Sequence, residues 1–156
     1  MTTDAEAISR LLGDSGGKVV TAESCTGGLI AKYITEIAGA SAWYEGGWVT
    51  YSNAMKMSQL GIPEEMLQTH GAVSSQVAKA MCEGARRQSG ATVALSTTGI
   101  AGPDGGTEKK PVGTVFVGCA TQSGIEVTRF LFTGNREEIQ EQAAKAALQM
   151  LHVKLL

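Results

Sequence analysis

The sequence has few of the features that mark membrane, secreted or nucleic-acid-binding proteins. No apolar run among its 156 residues approaches the ~20 residues needed to cross a bilayer. The amino terminus has early acidic residues and no long apolar core, which argues against a signal peptide and favours a cytoplasmic protein. The three cysteines form no close pair and fit a reducing compartment. With a net charge of -2, the chain lacks the basic surface of a duplex-binding protein, so we expect no nucleic-acid or membrane partner.

Histidine is also scarce, which limits the chemistry available to the chain. His70 and His152 are the only two, and no HExxH, CxxC or clustered Asp motif accompanies them. We therefore expect no metal and no cofactor. A Ser–His–Asp hydrolase fits poorly, because the two histidines would have to serve every role. Hydrolysis stays open, because a neutral lysine can replace histidine as the base for a serine.

What is present is an alternation of helical and strand patterns typical of an α/β protein. Helical patterns cover residues 4–13, 27–37, 53–61, 63–71, 74–90 and the segment after 135; strand patterns cover 18–22, 43–52 (with a bulge expected at Gly46-Gly47), 91–99, 113–121 and 125–133. The short QSG link between the last two strands predicts an antiparallel hairpin. Asn135 and Glu138 predict a capping box at the last helix. We predict a single domain over residues 1–156, a three-layer α/β/α sandwich around a mixed β-sheet.

The stretch TAESCTGG, residues 21–28, joins a predicted strand to a predicted helix. Free N–H groups at the start of a helix suit an oxyanion or a phosphate, but Thr26 could be only the helix cap. Cys25 is the more reactive atom, yet it has no obvious imidazole partner, and buried cysteines are usually inert. Ser24 needs a base. Spacing alone leaves a nucleophile, an anion-binding loop and a simple cap as open alternatives.

The segment YSNAMK supplies a phenol and an amine that could act beside this turn. If Tyr51 ends a strand and Lys56 lies one turn into the next helix, both can point at the end of the sheet. Lysine is charged at pH 7 unless burial or a nearby cation lowers its pKa. A solvated lysine on a short helix is the alternative, and spacing alone favours it.

Two further segments have the composition of ligand-binding sites. TTGIAGPDGGTEKKP, residues 97–111, is rich in glycine, which admits close approach of a backbone to a ligand, although a mobile loop is the alternative. Arg136 stands in the first turn of the last helix, where a cation opposes the helix dipole. Either an anionic ligand or a salt bridge to a neighbouring acid would explain it.

Five motifs carry a resemblance to a known family. They are TAESCTGG, GGWVTYSNAMK, HGAVS, TTGIAGPDGGTEKKPVGTV and FTGNREEIQEQAA. In this order they resemble the nicotinamide-nucleotide amidases (NMN deamidases), a family that also forms the C-terminal domain of CinA-type competence/damage-inducible proteins. The resemblance covers residues 5–156. It implies hydrolysis of the carboxamide of nicotinamide mononucleotide to nicotinate mononucleotide and ammonia, a step of pyridine nucleotide recycling.

Carried onto this chain, the resemblance implies a metal-free Ser–Lys mechanism. Ser24 would be the nucleophile, Lys56 the base and Tyr51 a hydrogen-bonding assistant, which favours Ser24 over Cys25. The substrate-binding residues that we expect are Thr26, Gly27, Gly28, Asn53, Thr98, Gly99, Gly102 and Arg136. The expected partner is the small-molecule substrate, and we expect a homo-oligomer, a dimer.

Two rival hypotheses remain beside the amidase. The first is a nucleotide-binding module without turnover, acting in a competence or DNA-damage context. A pure binder would not need both Ser24 and Lys56. The second is a cysteine hydrolase that uses Cys25 with His70, and it is the weaker of the two.

Overall fold

A computed structural model describes residues 3–156 and shows helices on both faces of one five-stranded sheet. The helices are α1 (Asp4–Gly13), α2 (Leu29–Thr35), α3 (Asn53–Leu60), α4 (Glu64–His70), α5 (Ser75–Ser89) and α6 (Arg136–Leu155). The strands are β1 (Val19–Glu23), β2 (Tyr44–Val49), β3 (Val93–Gly99), β4 (Thr114–Thr121) and β5 (Gly124–Leu131). The predicted α/β/α sandwich is confirmed. No helix in residues 3–156 is long and apolar enough to cross a membrane.

The sheet is mixed, in the order β2-β1-β3-β4-β5. Strand β1 pairs in parallel with β2 and β3, because helical segments carry the chain back before each new strand. Strand β4 pairs antiparallel with β3 and β5, and the short link at residues 122–123 permits only the antiparallel pairing with β5. The parallel pairing places the carboxyl ends of β1, β2 and β3 at one edge of the sheet, where ligand sites of such sheets form.

Two apolar clusters cover the two faces of the sheet. One joins α1, α2 and α6, and the other joins α3, α4 and α5. Neighbouring residues Val19 and Val20 enter opposite clusters, as the alternation of side chains along a strand requires. Strands β1, β3 and β4 are buried on both faces, whereas the edge strands β2 and β5 alternate between covered and exposed residues.

The helix ends follow the local signals of the sequence. The predicted capping box at α6 is present: the Asn135 side chain accepts from the backbone N–H of Glu138, and the Glu138 side chain accepts from that of Asn135. The helix α3 ends at Gly61, which has a left-handed conformation, with φ of 67°.

Several element boundaries differ from the prediction by one to three residues. Strand β2 stops at Val49 instead of residue 52, because the Ser52 hydroxyl accepts from the Met55 N–H and caps α3. The expected bulge lies one residue earlier, since the register with β1 skips Glu45. Helix α2 starts at Leu29, later than predicted, because the two glycines before it have positive φ angles.

Candidate active site

A pocket of about 220 Å³ opens at the sheet edge formed by the carboxyl ends of the parallel strands. Its lining comes from the turn after β1, the β2–α3 connection, the segment before α5, the end of β3 and the start of α6. The lining residues are Ser24, Cys25, Tyr51, Asn53, Lys56, Ala72, Val73, Thr98, Gly99, Ala101 and Arg136.

Ser24 is the first residue after β1 and is only 7% exposed. Its N–H donates to the carbonyl of Thr97 on the neighbouring strand, at 3.0 Å, which continues the parallel pairing by one residue. The turn that follows is tight, with φ of 60° at Gly27 and 103° at Gly28. Since side chains rarely adopt such angles, these two glycines permit the strand to enter α2 directly beside the serine.

Lys56 reaches Ser24 from α3. Its Nζ lies 3.1 Å from the Ser24 Oγ, 3.0 Å from the carbonyl oxygen of Thr50 and 3.3 Å from that of Tyr51. The residue is 1% exposed, so the alternative of a solvated lysine does not hold in this structure. Serine and lysine, 32 residues apart in the sequence, therefore form a direct buried contact.

The surroundings of Lys56 favour the neutral amine. Burial lowers its pKa from the ordinary value, and a charge on the nearby Cys25 thiol would act in the opposite direction. None of the ion pairs in the described part of the chain includes Lys56. A neutral amine has two hydrogens and one lone pair. If the hydrogens go to the carbonyls of Thr50 and Tyr51, the lone pair faces the Ser24 hydroxyl.

Cys25 also lines the pocket, but its thiol is held in the protonated form. Burial raises its pKa to about 12, so almost no thiolate exists near neutral pH. His70 does not line the pocket, and its carbonyl oxygen accepts from the Lys110 Nζ at 2.9 Å. The proposed Cys25–His70 pair is therefore not assembled in this structure.

Arg136 bridges two sides of the pocket mouth. Its Nη1 donates to the carbonyl oxygen of Gly102 at 2.6 Å, and its Nη2 donates to the Tyr51 hydroxyl at 2.7 Å. Tyr51 is 60% exposed, so the bridge lies at the surface above the buried pair. The salt bridge that would have explained Arg136 is not among the ion pairs of residues 3–156.

The glycine-rich loop of residues 100–113 is tied to the rest of the protein beyond its link to Arg136. The Lys110 amine holds it to the end of α4, and the Arg129 guanidinium donates to the carbonyl of Lys109 at 2.8 Å. Gly99, directly before the loop, and Ala101, within it, line the pocket. The two lysines of the loop thus take part in contacts that hold it in place.

Most of the predicted site residues come together at this pocket. Predicted residues in its lining are Ser24, Tyr51, Asn53, Lys56, Thr98, Gly99 and Arg136. Thr26, Gly27, Gly28 and Gly102 are not in the lining. Thr26 is buried and bonds to Glu23 and Thr97 instead, while Gly102 contributes its carbonyl to the Arg136 bridge.

The prediction missed one wall of the pocket. It is formed by Ala72, Val73 and Ala101, and the Thr98 hydroxyl donates to the Ala72 carbonyl at 2.8 Å. The motif HGAVS contains Ala72 and Val73 and was the available signal, but small apolar residues carry no chemistry that identifies them. Within residues 3–156, no group of three or more His, Cys, Asp or Glu side chains lies close enough to hold a metal ion.

Comparison with known proteins gives consistent matches. The model of the CinA C-terminal domain family matches residues 1–155. The nicotinamide-nucleotide amidohydrolase PncC of Escherichia coli K12 is 50% identical over 153 residues, which cover 97% of this chain and 93% of that protein. A CinA-like protein of Geobacter sulfurreducens is 49% identical over 150 residues, 96% of this chain but only 36% of that protein.

Other curated relatives are also much longer. The chain spans 37% of the length of the competence-damage inducible protein of Caldicellulosiruptor bescii that it matches. Among solved structures, the competence/damage inducible protein CihA of Agrobacterium tumefaciens has a TM-score of 0.90 at 42% identity, covering 99% of this chain and 97% of that one. A CinA superfamily protein of Klebsiella pneumoniae has a TM-score of 0.93 at 36% identity, covering 97% and 95%. The chain belongs to the CinA C-terminal domain family.

Proposed function

We propose that this member of the CinA C-terminal domain family hydrolyses the carboxamide of nicotinamide mononucleotide, releasing ammonia and nicotinate mononucleotide. The single observation that carries the proposal is the buried contact of 3.1 Å between the Ser24 Oγ and the Lys56 Nζ. The similarity to an amidohydrolase over 93% of that protein's length supports the choice of substrate. The reaction belongs to pyridine nucleotide recycling.

In the first half of the reaction, Ser24 attacks the carboxamide carbon. Its proton passes to the neutral amine of Lys56, which the two backbone carbonyls orient toward it. The carbon–nitrogen bond of the tetrahedral intermediate then breaks. The amide NH₂ group takes the proton from Lys56 and leaves as ammonia. A nicotinate ester on Ser24 remains.

In the second half, water hydrolyses that ester. Lys56, neutral again, accepts a proton from the water as its oxygen attacks the ester carbon. The same proton returns to the Ser24 oxygen as the carbon–oxygen bond breaks, and nicotinate mononucleotide is released. Each half therefore uses the amine once as base and once as acid, and no other proton carrier is needed.

Tyr51 and Arg136 supply the polar groups at the pocket mouth. Because the Tyr51 hydroxyl accepts from Arg136, its own hydrogen is free to donate to the substrate's carboxamide. The Arg136 guanidinium has three N–H groups beyond the two used in the bridge, and its planar fork suits phosphate oxygens. We assign Arg136 to the substrate phosphate and the small apolar wall of Ala72 and Val73 to the pyridine ring.

The direct test is ammonia release from nicotinamide mononucleotide by the purified protein and by Ser24→Ala. We expect one ammonia per nicotinate mononucleotide from the wild type, and a kcat at least about 10³-fold lower in Ser24→Ala. Circular dichroism checks that the variant is folded, and Cys25→Ala is the matched control that should keep most of the activity. Turnover that survives in Ser24→Ala but is lost in Cys25→Ala would refute the serine mechanism. Binding of the mononucleotide without ammonia release would support the non-catalytic binding module instead.

A further inference from the structure

A buried carboxylate that the proposed reaction does not use lies directly before the nucleophile. Glu23 is the last residue of β1 and is 1% exposed. No ion pair within residues 3–156 includes it. Burial of a charge is costly unless several hydrogen bonds compensate for the lost water. The hydrogen bonds of the Glu23 side chain therefore indicate which part of the structure this residue stabilises.

The Glu23 carboxylate accepts three hydrogen bonds from the segment that contains the nucleophile turn. Its Oε1 accepts from the Thr26 hydroxyl at 2.6 Å and from the Ile30 N–H at 2.9 Å. Its Oε2 accepts from the Ala31 N–H at 3.1 Å. The two carboxylate oxygens therefore bind one side-chain hydroxyl and two backbone N–H groups of this segment.

These contacts replace a missing helix cap. Helix α2 has Gly28 at its N-cap position, and glycine has no side chain to accept from the first free N–H groups. Glu23 accepts from the second and third residues of the helix, although it lies on the strand before the turn. One side chain therefore fixes both ends of the turn that presents Ser24.

The same residue is connected to the base through its main chain. The Thr50 N–H donates to the Glu23 carbonyl oxygen at 2.9 Å, and the Thr50 carbonyl oxygen accepts from the Lys56 Nζ at 3.0 Å. Thr26 extends the network to β3, since its hydroxyl lies 2.7 Å from the Thr97 hydroxyl. Glu23 thus contacts the turn that holds the nucleophile and the residue that orients the base.

We propose that Glu23 is a positioning residue for the reaction, holding the Ser24 Oγ within hydrogen-bond distance of the Lys56 Nζ. The inference rests on the proposed function for its choice of substrate, but the geometry concerns the serine–lysine pair itself. A displacement of reacting groups by about 1 Å can cost about 10²-fold in rate. The Glu23 side chain does not line the pocket, and its hydrogen-bond partners are Thr26, Ile30 and Ala31, so its effect acts through the turn.

The test compares Glu23→Gln with Glu23→Ala. Glutamine retains an oxygen for Thr26 and Ile30 but turns an NH₂ group toward the Ala31 N–H, whereas alanine loses all three contacts. We expect kcat for nicotinamide mononucleotide to fall about tenfold in Glu23→Gln and about 10²-fold or more in Glu23→Ala. The KM and the Kd of the product, nicotinate mononucleotide, should stay within about threefold of the wild type because the pocket lining is unchanged.

The matched control is Thr3→Ala at the N-cap of α1, whose hydroxyl accepts from the Glu6 N–H far along the chain from the site. It should lower the Tm, as removal of a helix cap usually does, without a change in kcat. All variants are assayed well below their Tm, with the folded fraction measured by circular dichroism. Wild-type kcat per folded molecule in both Glu23 variants would overturn the proposal.

A second readout does not depend on the substrate. The rate at which a fluorophosphonate labels Ser24, followed by mass spectrometry, should fall in the same order in Glu23→Gln and Glu23→Ala. Rapid labelling of the wild type without ammonia release would reject the proposed substrate and leave the positioning role intact. Equal labelling rates in all three proteins would reject the positioning role, whatever the substrate.

Discussion

Two buried contacts between polar side chains invite comparison, because only one of them has the properties of a reactive site. The open pair consists of Ser24 and Lys56 at the pocket. The closed pair consists of Cys82 on α5 and Ser96 on β3, whose Sγ and Oγ lie 3.3 Å apart. Both residues of the closed pair are 0% exposed, and neither lines the pocket at the sheet edge.

Burial has opposite chemical consequences in the two pairs. It disfavours the charged form of any group, so it raises the pKa of the Cys82 thiol to about 12 and lowers the pKa of Lys56. A neutral thiol is a poor nucleophile, whereas a neutral amine is a competent base. Burial therefore makes the thiol of Cys82 less reactive and makes the amine of Lys56 a better base at neutral pH.

The largest expected effect comes from replacing Lys56, the proposed base of the open pair, with a residue that keeps the positive charge. In Lys56→Arg the guanidinium stays protonated and cannot accept the Ser24 proton, so kcat should fall by about 10³-fold or more. The assay is ammonia release at saturating nicotinamide mononucleotide. The control is Lys32→Arg, the same exchange at an exposed lysine, which should leave kcat unchanged. A kcat of Lys56→Arg within about tenfold of the wild type would mean that Lys56 is not the base.

A smaller effect is expected from a substitution of Arg136, at the mouth of the pocket that contains the open pair. If Arg136 binds the substrate phosphate as proposed, Arg136→Ala removes a charge-assisted contact worth about 1.5–3 kcal/mol, so the KM for nicotinamide mononucleotide should rise about tenfold or more. The KM for nicotinamide riboside, which is the same compound without the phosphate, should change little. Some loss of kcat is expected for both substrates, because Arg136 also holds the Tyr51 hydroxyl. An equal rise in KM for both would place the phosphate elsewhere.

The cost of burying Lys56 gives a prediction about stability and pH. The pKa of Lys56 is 10.5 in the unfolded chain and lower in the folded protein. At a pH between the folded and the unfolded pKa, the unfolded chain therefore binds more protons. Wild-type stability should therefore rise with pH across this window, and the cost of burial is fully present below it. Lys56→Met should abolish turnover but raise the Tm at pH 7, by about 2–4 °C per kcal/mol gained.

This difference in Tm between Lys56→Met and the wild type should shrink as the pH approaches 10.5. Comparing the two proteins at each pH cancels the titration of all other groups. Lys32→Met, at an exposed lysine, serves as the control and should show no such trend. If the Lys56→Met protein is no more stable than the wild type at pH 7, burial of the amine does not destabilise the folded state.

Loss of the Cys82 thiol from the closed pair should have no effect on catalysis. Cys82→Ala removes a small buried group and should cost about 1–2 kcal/mol in the free energy of unfolding, by analogy with other small core truncations. Ser96 keeps a partner, since its hydroxyl donates to the Ala78 carbonyl at 2.7 Å. Denaturant titration measures the cost, and kcat should be unchanged. A lower kcat per folded molecule would mean that the closed pair is coupled to the site.

Local sequence signals were sufficient for most of the fold. Strand patterns, the hairpin link and the capping residues Asn135 and Glu138 identified the elements, because each signal depends on neighbours in the chain. The layer rules then gave the mixed three-layer arrangement. The predicted end of β2 was wrong. The pattern of aromatic and β-branched residues continues beyond the strand, but Ser52 acts as the N-cap of α3.

The site was less predictable, because burial and contact are properties of the folded chain. Spacing alone favoured a solvated Lys56, and only the family resemblance singled out Ser24. The carbonyls that orient the amine and the cap that Glu23 supplies to α2 join residues with no local pattern in common. The expected dimer and the roles of the site residues remain predictions.

The smallest expected effect concerns an unusual hydroxyl beside the open pair. The Thr50 Oγ1 is buried and, in the described part of the chain, has no hydrogen-bond partner, although its carbonyl holds Lys56. Valine has nearly the same shape without the hydroxyl, and a buried polar atom without a partner is destabilising. Thr50→Val should therefore leave the free energy of unfolding unchanged or raise it by about 1 kcal/mol. Because the carbonyl is retained, kcat should stay within about twofold of the wild type.

Thr114→Val is the matched control for this prediction. Thr114 is equally buried, but its hydroxyl donates to the Pro111 carbonyl at 2.7 Å. Losing that bond should cost about 1 kcal/mol, so the same exchange should have opposite signs at the two threonines in denaturant titration. A loss of stability in Thr50→Val as large as in Thr114→Val would show that the Thr50 hydroxyl is satisfied in solution. A tenfold fall in kcat at Thr50 alone would show that this hydroxyl helps to set the position or the proton affinity of Lys56, and the open pair would then extend to a third side chain.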